Sequence, residues 1–501
     1  MNRKEIKRVV FIFVCLVLCG GLPNAFAGAP PRPNPITYYN PYTGQTEPFY
    51  PYGWDVWYDV CADHSFFDNA GGNTLLLHLD GNQASYDAFS RIFDMARSHG
   101  KKVIVDFVSP AFFSGETFNP YDINNYGAMA WYIDRAKNDP ALLGWMLGDE
   151  NEYNFPAADV VNGVNAINTL DGHRQVWQNF NGFGYNSQHE KDPVPQELPY
   201  LPGTAVYCAD AYPFHLYDMF QEEPNSFLNV EWWCNPFYVM GQTAAANGTG
   251  CALMPQGFGQ VDTEFAGQAL IDGMWRLPTL KEHRWQVFAS IVAMGSRGTL
   301  NWLYEPRWYS DPNLFYNWRD NIANPVFAEQ AMIARGMASG YNVGTVAIGW
   351  TNKSSDQSGG WTLEYDRVTQ LLLYDDVVAR YFLIATNNGT ISQTANLTIS
   401  NLPVPLTNLN VLAYREGGTS SGVLLTDFGG GVYELVDTLQ RFDVVIYRID
   451  AVPTTCAQAA AQNGAGLAGD LNGDCYVNFA DLAVFAQDWT RCVDTQSVNC
   501  L

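Results

Sequence analysis

Positive charge is what this 501-residue sequence has least of: 27 Lys and Arg stand against 51 Asp and Glu, for a formal net charge of -24. No basic stripe interrupts that balance. Phosphate backbones and anionic lipid surfaces would be repelled, so nucleic acid and membranes are not expected partners. Beyond its first residues the chain has no run near the roughly 20 apolar residues that a spanning helix needs. No CxxC or HxxxH spacing offers a zinc site. No glycine-rich phosphate loop opens a helix, which argues against nucleotide binding.

The N-terminus carries Arg3, Lys4, Lys7 and Arg8, then the apolar run Val9 to Leu18, then Ala25-Phe26-Ala27. A basic region, a short hydrophobic core and a small-x-small site make a signal peptide over 1–27, so the mature protein is expected to be secreted or at the cell surface, with the periplasm as an alternative. Cys15 and Cys19 would leave with it, and the remaining cysteines are even in number, which permits disulfides in an exported chain. Cys456, Cys475, Cys492 and Cys500 crowd the tail and are expected to staple it. Cys208 and Cys251 lie in apolar runs and read as buried thiols. Aromatic residues, 14 % of the chain, suit the faces of sugars but also fill large cores.

Residues 28–50 read as a surface lead-in. Over 51–340 the chain alternates strand and helix patterns. Eight apolar runs read as buried parallel strands: Gly53 to Tyr58, Thr74 to Leu79, Val103 to Val108, Leu142 to Leu147, Gln175 to Phe180, Ala205 to Ala209, Cys251 to Met254 and Gly298 to Leu303. Between them, Phe89, Ile92, Phe93 and Ala96, and then Met129, Tyr132, Ile133 and Ala136, mark one apolar face of a helix each. Thr279 with Glu282 forms a capping box for a later helix, and a final helix is expected over Pro325 to Ala338. The α/β class follows, and a (β/α)8 TIM barrel fits the rhythm better than an open sheet. From 341 to 450 the pattern becomes strands only, as in an all-β sandwich. A linker over 451–469 then leads to a small calcium-loop tail over 470–501.

The most telling stretch runs from Leu142 to Glu152, where an apolar strand stops on the cluster Asp149-Glu150-Asn151-Glu152. Side chains at such strand ends point into the mouth of a barrel, where catalytic groups of that fold gather. Other strand ends offer Asp106, Asp210, Tyr212, His215, Gln256, Trp302 and Glu305. Asp106, Asp149, Asp210, Tyr212, His215, Gln256 and Trp302 are candidate substrate contacts, and Glu150 and Glu305 are candidate catalytic carboxyls. Two carboxyl groups across a glycosidic bond, one protonated and one ionised, are the minimum for glycoside hydrolysis.

The run Trp145…Asp149-Glu150, Asp210-Ala211-Tyr212-Pro213, Pro255-Gln256-Gly257-Phe258-Gly259 and Arg284-Trp285-Gln286 before Gly295-Ser296-Arg297-Gly298 resembles the clan A glycoside hydrolase barrels, in particular their β-galactosidase-like branch. The resemblance implies a carbohydrate substrate and an acid/base at Glu150, with Asp149 where that clan usually has Asn. It implies a Glu nucleophile ending the seventh strand, where this sequence has Gln256. A neutral amide cannot form a glycosyl ester. Three accounts stay open: a second carboxyl recruited from Glu305, Glu264 or Asp210; an inverting site in which a carboxylate activates water; or a barrel that only binds glycan.

In the tail, Asp470, Asn472, Asp474, Asn478 and Asp481 place side-chain oxygens at loop positions one, three, five, nine and twelve, and the Tyr476 carbonyl would complete a ring for Ca2+. This loop resembles a single repeat of a dockerin, with Cys475 where Gly normally makes the turn. A structural Ca2+ and a cohesin-like or cell-surface protein partner are what that resemblance implies; for catalysis itself no cofactor is expected.

Overall fold

The computed structural model describes residues 32–79, 83–107, 126–180, 197–212, 230–259, 277–309, 311–341, 343–348, 353–358, 361–366, 368–389, 391–463 and 479–491. Eight parallel strands close into a barrel: β1 (Tyr52–Trp57), β2 (Thr74–His78), β3 (Lys102–Asp106), β4 (Leu142–Met146), β5 (Gln175–Phe180), β6 (Val206–Ala211), β7 (Gly250–Pro255) and β8 (Thr299–Asn301). Each is one of the apolar runs of the sequence, displaced by a residue or two at its ends. The ring closes where Thr299 of β8 lies between Leu253 of β7 and Tyr52 of β1.

Alternation along the strands sorts two apolar populations. Leu76, Ile104, Leu143, Met146, Trp177, Val206, Cys208, Ala252, Met254 and Leu300 meet inside the ring. Leu75, Leu77, Val103 and Val105 face out against helices α1 (Gln83–Ser98) and α2 (Tyr126–Ala136), whose Phe89, Ile92, Phe93, Met129, Tyr132 and Ile133 are all buried there. Cys208 and Cys251 are buried free thiols, as expected.

The stretch read as a surface lead-in instead plugs the N-terminal end of the barrel. Its strands Thr37–Asn40 and Gln45–Pro48 form a hairpin, and Ile36 and Tyr38 join the interior cluster. Backbone and side-chain bonds fix it there, from Asn34 N to Thr249 O (2.9 Å) and from Thr37 N to Gln175 Oε1 (2.8 Å). Its Tyr and Pro content gives no hydrophobic run, which is why the sequence hid this role.

The helix predicted from the capping box is α3 (Leu280–Ala289), with both halves of the box made by Thr279 and Glu282. The expected closing helix is α4 (Asn324–Ser339). Beyond it, eight antiparallel strands form one sheet that folds over on itself: β9 (Thr345–Ile348), β10 (Val368–Asp375), β11 (Arg380–Asn387), β12 (Gln393–Ser400), β13 (Asn410–Tyr414), β14 (Ser420–Gly429), β15 (Val432–Leu439) and β16 (Val444–Asp450), in the order β9-β12-β15-β14-β13-β16-β11-β10. One face of β10, β11 and β16 supplies Leu372, Leu383 and Val445 to a core shared with Leu397 and Leu435. The other face supplies Leu371, Leu373, Phe382, Ile384 and Ile446 to a cluster with Trp285, Phe288 and Ile333 of α3 and α4.

Strand β14 shows no apolar run because most of its residues are exposed, and in β15 the inward alternation of Tyr433, Leu435 and Leu439 is interrupted by Asp437. Within the stretch read as a linker, Cys456–Asn463 is a helix. Gln462 Nε2 donates to the carbonyls of Ala379 and Ala451 (3.0 Å each), which fastens that helix to the sheet. Of the tail, the described residues form the helix Phe479–Arg491. The signal segment lies outside the described residues, and among those that are described no helix is long and apolar enough to cross a membrane.

Gly53 sits where a Cβ would come within 1.8 Å of the Thr74 carbonyl oxygen of the neighbouring strand. Gly53→Ala therefore forces β1 and β2 apart, and a loss of about 3 kcal/mol in unfolding free energy by denaturant titration is the expected outcome.

Candidate active site

Stepping by two along each strand builds the mouth of the barrel. From the interior residues Gly53, Leu76, Ile104, Trp177, Cys208, Met254 and Leu300, the next inward position is Asp55, His78, Asp106, Asn179, Asp210, Gln256 and Trp302. An apolar floor thus gives way within one layer to polar and aromatic side chains. All of them are buried except Trp302, which is partly exposed.

After β4 the chain turns sharply. Gly148 (φ 74°) and Glu150 (φ 47°) both occupy the left-handed region. That conformation is open to glycine but costs a glutamate about 1 kcal/mol, and strain of this kind gathers at functional sites. The Glu150 backbone N–H donates to the Asn179 carbonyl (3.2 Å), which pins the turn to β5. Asp149 and Glu150 are thereby held at the mouth, both partly buried.

A single amide nitrogen organises the carboxyls. Asn179 Nδ2 donates to Asp149 Oδ1 (2.6 Å) and to Asp210 Oδ1 (2.7 Å). Two oxygens within hydrogen-bond reach of one nitrogen stand on the order of 5 Å apart at most. Burial pushes the Asp210 carboxyl well above the usual range, and the negative charges of Asp149 and Glu150 add to the effect. Burial also raises Asp149, but Asn179 and the charge of His78 oppose it. Crowded carboxyls of this kind divide into a protonated and an ionised member.

A second buried cluster lies beside the first. His78 stands between Asp55 and Asp106: its Nε2 pairs with Asp55, and its Nδ1 lies 2.8 Å from Asp106 Oδ2. Burial disfavours the charged ring, yet the two carboxylates outweigh it and hold His78 well above its ordinary value. Burial pushes Asp55 up to about 6 despite His78, and raises Asp106 as well. The Trp57 ring packs on the imidazole at 4.9 Å.

Aromatic rings form the opposite wall. Tyr212, Phe258 and Trp302 meet at centroid distances of 5.0, 5.4 and 4.8 Å, and the Trp302–Leu303 peptide is cis. Burial and the nearby Asp210 carboxyl hold the Tyr212 hydroxyl well above its ordinary value. Gln256 is fully buried; its Nε2 donates to the Phe258 carbonyl (3.1 Å), and Gln286 brackets its backbone at 3.3 and 2.9 Å. Its side chain steadies the loop that carries Phe258.

Glu305 follows β8 as expected but belongs to a different cluster. Arg307 Nε donates to its Oε1 (2.6 Å), Arg307 Nη2 pairs with its Oε2, and the same guanidinium reaches Asp59 (2.5 Å). His215 and Glu264 lie outside the described residues, as do Asp470, Asn472, Asp474, Tyr476 and Asn478 of the calcium-type loop. Asp481, the last of that set, is buried in the first turn of the tail helix.

No protein-family model matches this chain, and no curated protein sequence does. Solved structures do. A protein described as a glycoside hydrolase aligns with a TM-score of 0.50 at 12% identity, covering 80% of this chain and 93% of that one. A glycoside hydrolase of family 5 from Bacteroides vulgatus aligns with a TM-score of 0.49 at 13% identity over 80% and 90% of the two chains. A family 51 alpha-L-arabinofuranosidase from Bifidobacterium longum gives 0.45 at 10% identity over 83% and 97%. At such identities it is the fold that is shared. The first alignment shows it for this chain: a closed parallel barrel with a separate antiparallel β domain.

Asp55, His78 and Asn179 were not among the residues the sequence nominated. Their signal was present in the alternation, since each lies two positions beyond an interior residue or glycine. Each also sits inside or at the edge of an apolar run, where a search for carboxylates beyond strand ends does not look.

Because its pKa is raised, Asp210 binds its proton more tightly in the folded chain than in the unfolded one. Its contribution to stability is full below the ordinary aspartate range and is lost as pH rises through the folded value. Asp210→Asn removes that penalty while keeping the Oδ1 acceptor for Asn179. The expected result is a Tm raised by about 2–4 °C at neutral pH by differential scanning calorimetry.

Proposed function

We propose that the barrel is a glycoside hydrolase acting on a poly- or oligosaccharide, with Glu150 and Asp210 as its carboxyl pair. The observation that carries this reading is the pair of hydrogen bonds by which the Asn179 amide gathers Asp149 and Asp210 at the barrel mouth, with Glu150 next to Asp149 on the turn pinned to β5. Asp210 keeps its proton and donates it to the glycosidic oxygen as the bond to the anomeric carbon breaks. Glu150, on its strained turn, faces the positive charge that develops there and takes a proton from the water that adds to the anomeric carbon, completing hydrolysis. The Tyr212, Phe258 and Trp302 rings offer the flat apolar surface that a sugar face stacks on. This assignment moves the proton from Glu150, where the sequence pattern put it, to Asp210. It also replaces Glu305, both of whose oxygens are engaged by Arg307.

The test is reducing-sugar release from a panel of glycans by the mature chain. Glu150→Gln and Asp210→Asn are each expected to lower kcat by about 10²- to 10⁴-fold with an unchanged circular dichroism spectrum. Full activity in both variants would overturn the assignment. Gln256, where a nucleophilic Glu is expected from the family pattern, favours a second reading as a glycan-binding barrel. Binding on a glycan array without turnover of any bound glycan would establish that reading instead.

Export by the N-terminal signal, at residues 1–27, belongs to the same proposal. So does a structural Ca2+ in the tail held by Asp470, Asn472, Asp474, Tyr476, Asn478 and Asp481, with a cohesin-like or cell-surface protein as the tail's partner. The burial of Asp481 at the start of the helix suits the last ligand of such a loop. Isothermal titration with Ca2+ is expected to give one site per chain in the full-length protein and none in an Asp470→Ala, Asp474→Ala variant. Heat identical in the two proteins would remove the calcium assignment.

A further inference from the structure

The end of β7 is framed by hydrogen bonds on both flanks. Gln286 of α3 grips its backbone with both ends of one side-chain amide: Oε1 accepts from the Gln256 N–H (3.3 Å), and Nε2 donates to the Gln256 carbonyl (2.9 Å). The same Nε2 donates to His283 Nδ1 (2.8 Å), which fixes the amide in one orientation. His283 and Gln286 are wholly shielded from water, and burial pushes the ring down to about 3, so that nitrogen is open to accept across the neutral range. On the other flank the Trp302 N–H donates to the Pro255 carbonyl (3.1 Å) and the Gly257 N–H to the Trp302 carbonyl (2.7 Å), which bridges Gln256 to Trp302 just beyond β7 and β8.

Held in this frame, Gln256 turns its side chain back on the loop that follows. Its Nε2 donates to the Phe258 carbonyl (3.1 Å), and one residue on the Gly259 N–H donates to the Tyr309 hydroxyl (3.2 Å). The Phe258 ring between these bonds meets Trp302 at 4.8 Å and Tyr212 at 5.0 Å. An unbroken series of hydrogen bonds and ring contacts thus leads from His283 through Gln286, Gln256 and Phe258 to the aromatic wall. A carbonyl oxygen accepts and never donates, so the side chain at position 256 has to bring it a proton. Glutamine does this at every pH. A glutamate of equal length does so while protonated; once ionised, it sets oxygen against oxygen in a place where Gln256 is 0% exposed.

We propose that Gln256 is a positioning residue: its amide holds the Phe258 carbonyl and so sets the aromatic wall, and the end of β7 is built for a neutral donor rather than for a carboxylate that attacks sugar. The link to sugar binding rests on the hydrolase reading above, in which Glu150 and Asp210 carry the chemistry and the wall holds the substrate; the hydrogen-bond role itself does not. The titratable groups on the elements around position 256 are Asp210 and Tyr212 at the end of β6, Tyr309 after β8, and Glu282, His283 and Arg284 on α3. Arg284, the cation among them, pairs with Glu329 (2.7 Å), and Glu282 caps its own helix at Thr279. Burial therefore opposes the ionisation of a carboxyl introduced at 256.

The experiment compares Gln256→Glu and Gln256→Met with wild type in two readouts. The first needs no activity: the Tm of the full-length protein is measured by differential scanning calorimetry from pH 4 to 8. A buried carboxyl that keeps its proton when folded contributes its stability below the ordinary glutamate range and loses it as pH rises through the raised value. The Tm of Gln256→Glu is therefore expected to stay within about 2 °C of wild type at pH 4 and to lie about 4 °C or more below it at pH 8. Gln256→Met has no proton to offer at any pH, so its deficit is the same throughout. The second readout is hydrolysis: at pH 8 the KM of Gln256→Glu is expected to rise about ten-fold over wild type, with kcat changing less, and the ratio shrinks towards pH 5 as the introduced carboxyl takes up its proton. A Tm difference between Gln256→Glu and wild type that is flat with pH, an unchanged KM at pH 8 in an active protein, or faster hydrolysis in that variant would overturn the proposal. A pH-dependent deficit in a protein whose wild type hydrolyses nothing would uphold the hydrogen-bond role and overturn the hydrolase reading alone. Should Gln256→Glu not fold at pH 8, folding at pH 4 to 5 supports the proposal, and failure there as well refutes it.

Discussion

The closed ring of parallel strands turns every second residue of each strand inward, and the mouth is built from that alternation. A layer filled by Leu76, Ile104, Trp177, Cys208, Met254 and Leu300 excludes water from below. The layer above it then receives Asp55, His78, Asp106, Asn179 and Asp210 on a backbone that cannot spread to relieve their repulsion. In an open loop, carboxyls so close would swing apart into solvent. Here they are separated by chemistry instead, by one imidazole and one amide inserted between them. The upward push on the Asp210 carboxyl therefore comes from the scaffold that buries it.

Much of this architecture is readable from the chain. The eight apolar runs, the faces of the first two helices and the Thr279–Glu282 capping box all survive in the structure, because each rests on periodicity or on a local hydrogen bond that tertiary context does not override. What escaped reading shares one physical cause: a weak or misleading apolar signal. Strand β14 is mostly exposed, and the alternation of β15 is broken by Asp437 between Leu435 and Leu439. The Cys456–Asn463 helix hides in a composition rich in Ala and Gln. Yet Thr455 and Gln458 exchange backbone bonds at 3.2 Å in a capping box of the same kind as the one recognised earlier.

At the site the limits were different. Glu150, Asp149, Asp210 and Tyr212 are brought together because carboxylates after strand ends advertise themselves. Glu305 advertised itself equally, and only the fold revealed that Arg307, two residues along, takes both its oxygens. Gln256 was noticed for what it lacks. Its buried position shows what it supplies instead, a donor that holds the Phe258 carbonyl and with it one ring of the aromatic wall.

The helix α3 has no solvent face along most of its length; Glu282 to Ala289 are buried without a break. Polar members of that run reach outward to find partners, Arg284 to Glu329 (2.7 Å) and to the Val444 carbonyl (2.8 Å), Trp285 Nε1 to Asn388 (3.1 Å). Two of those three bonds end in the β domain. Gln286 of the same helix brackets the backbone at Gln256, just beyond β7. The accessory sheet is thus the outer wall of the barrel's own foundation rather than a detachable appendage. Without that sheet the chain would expose a helix built to have no outside.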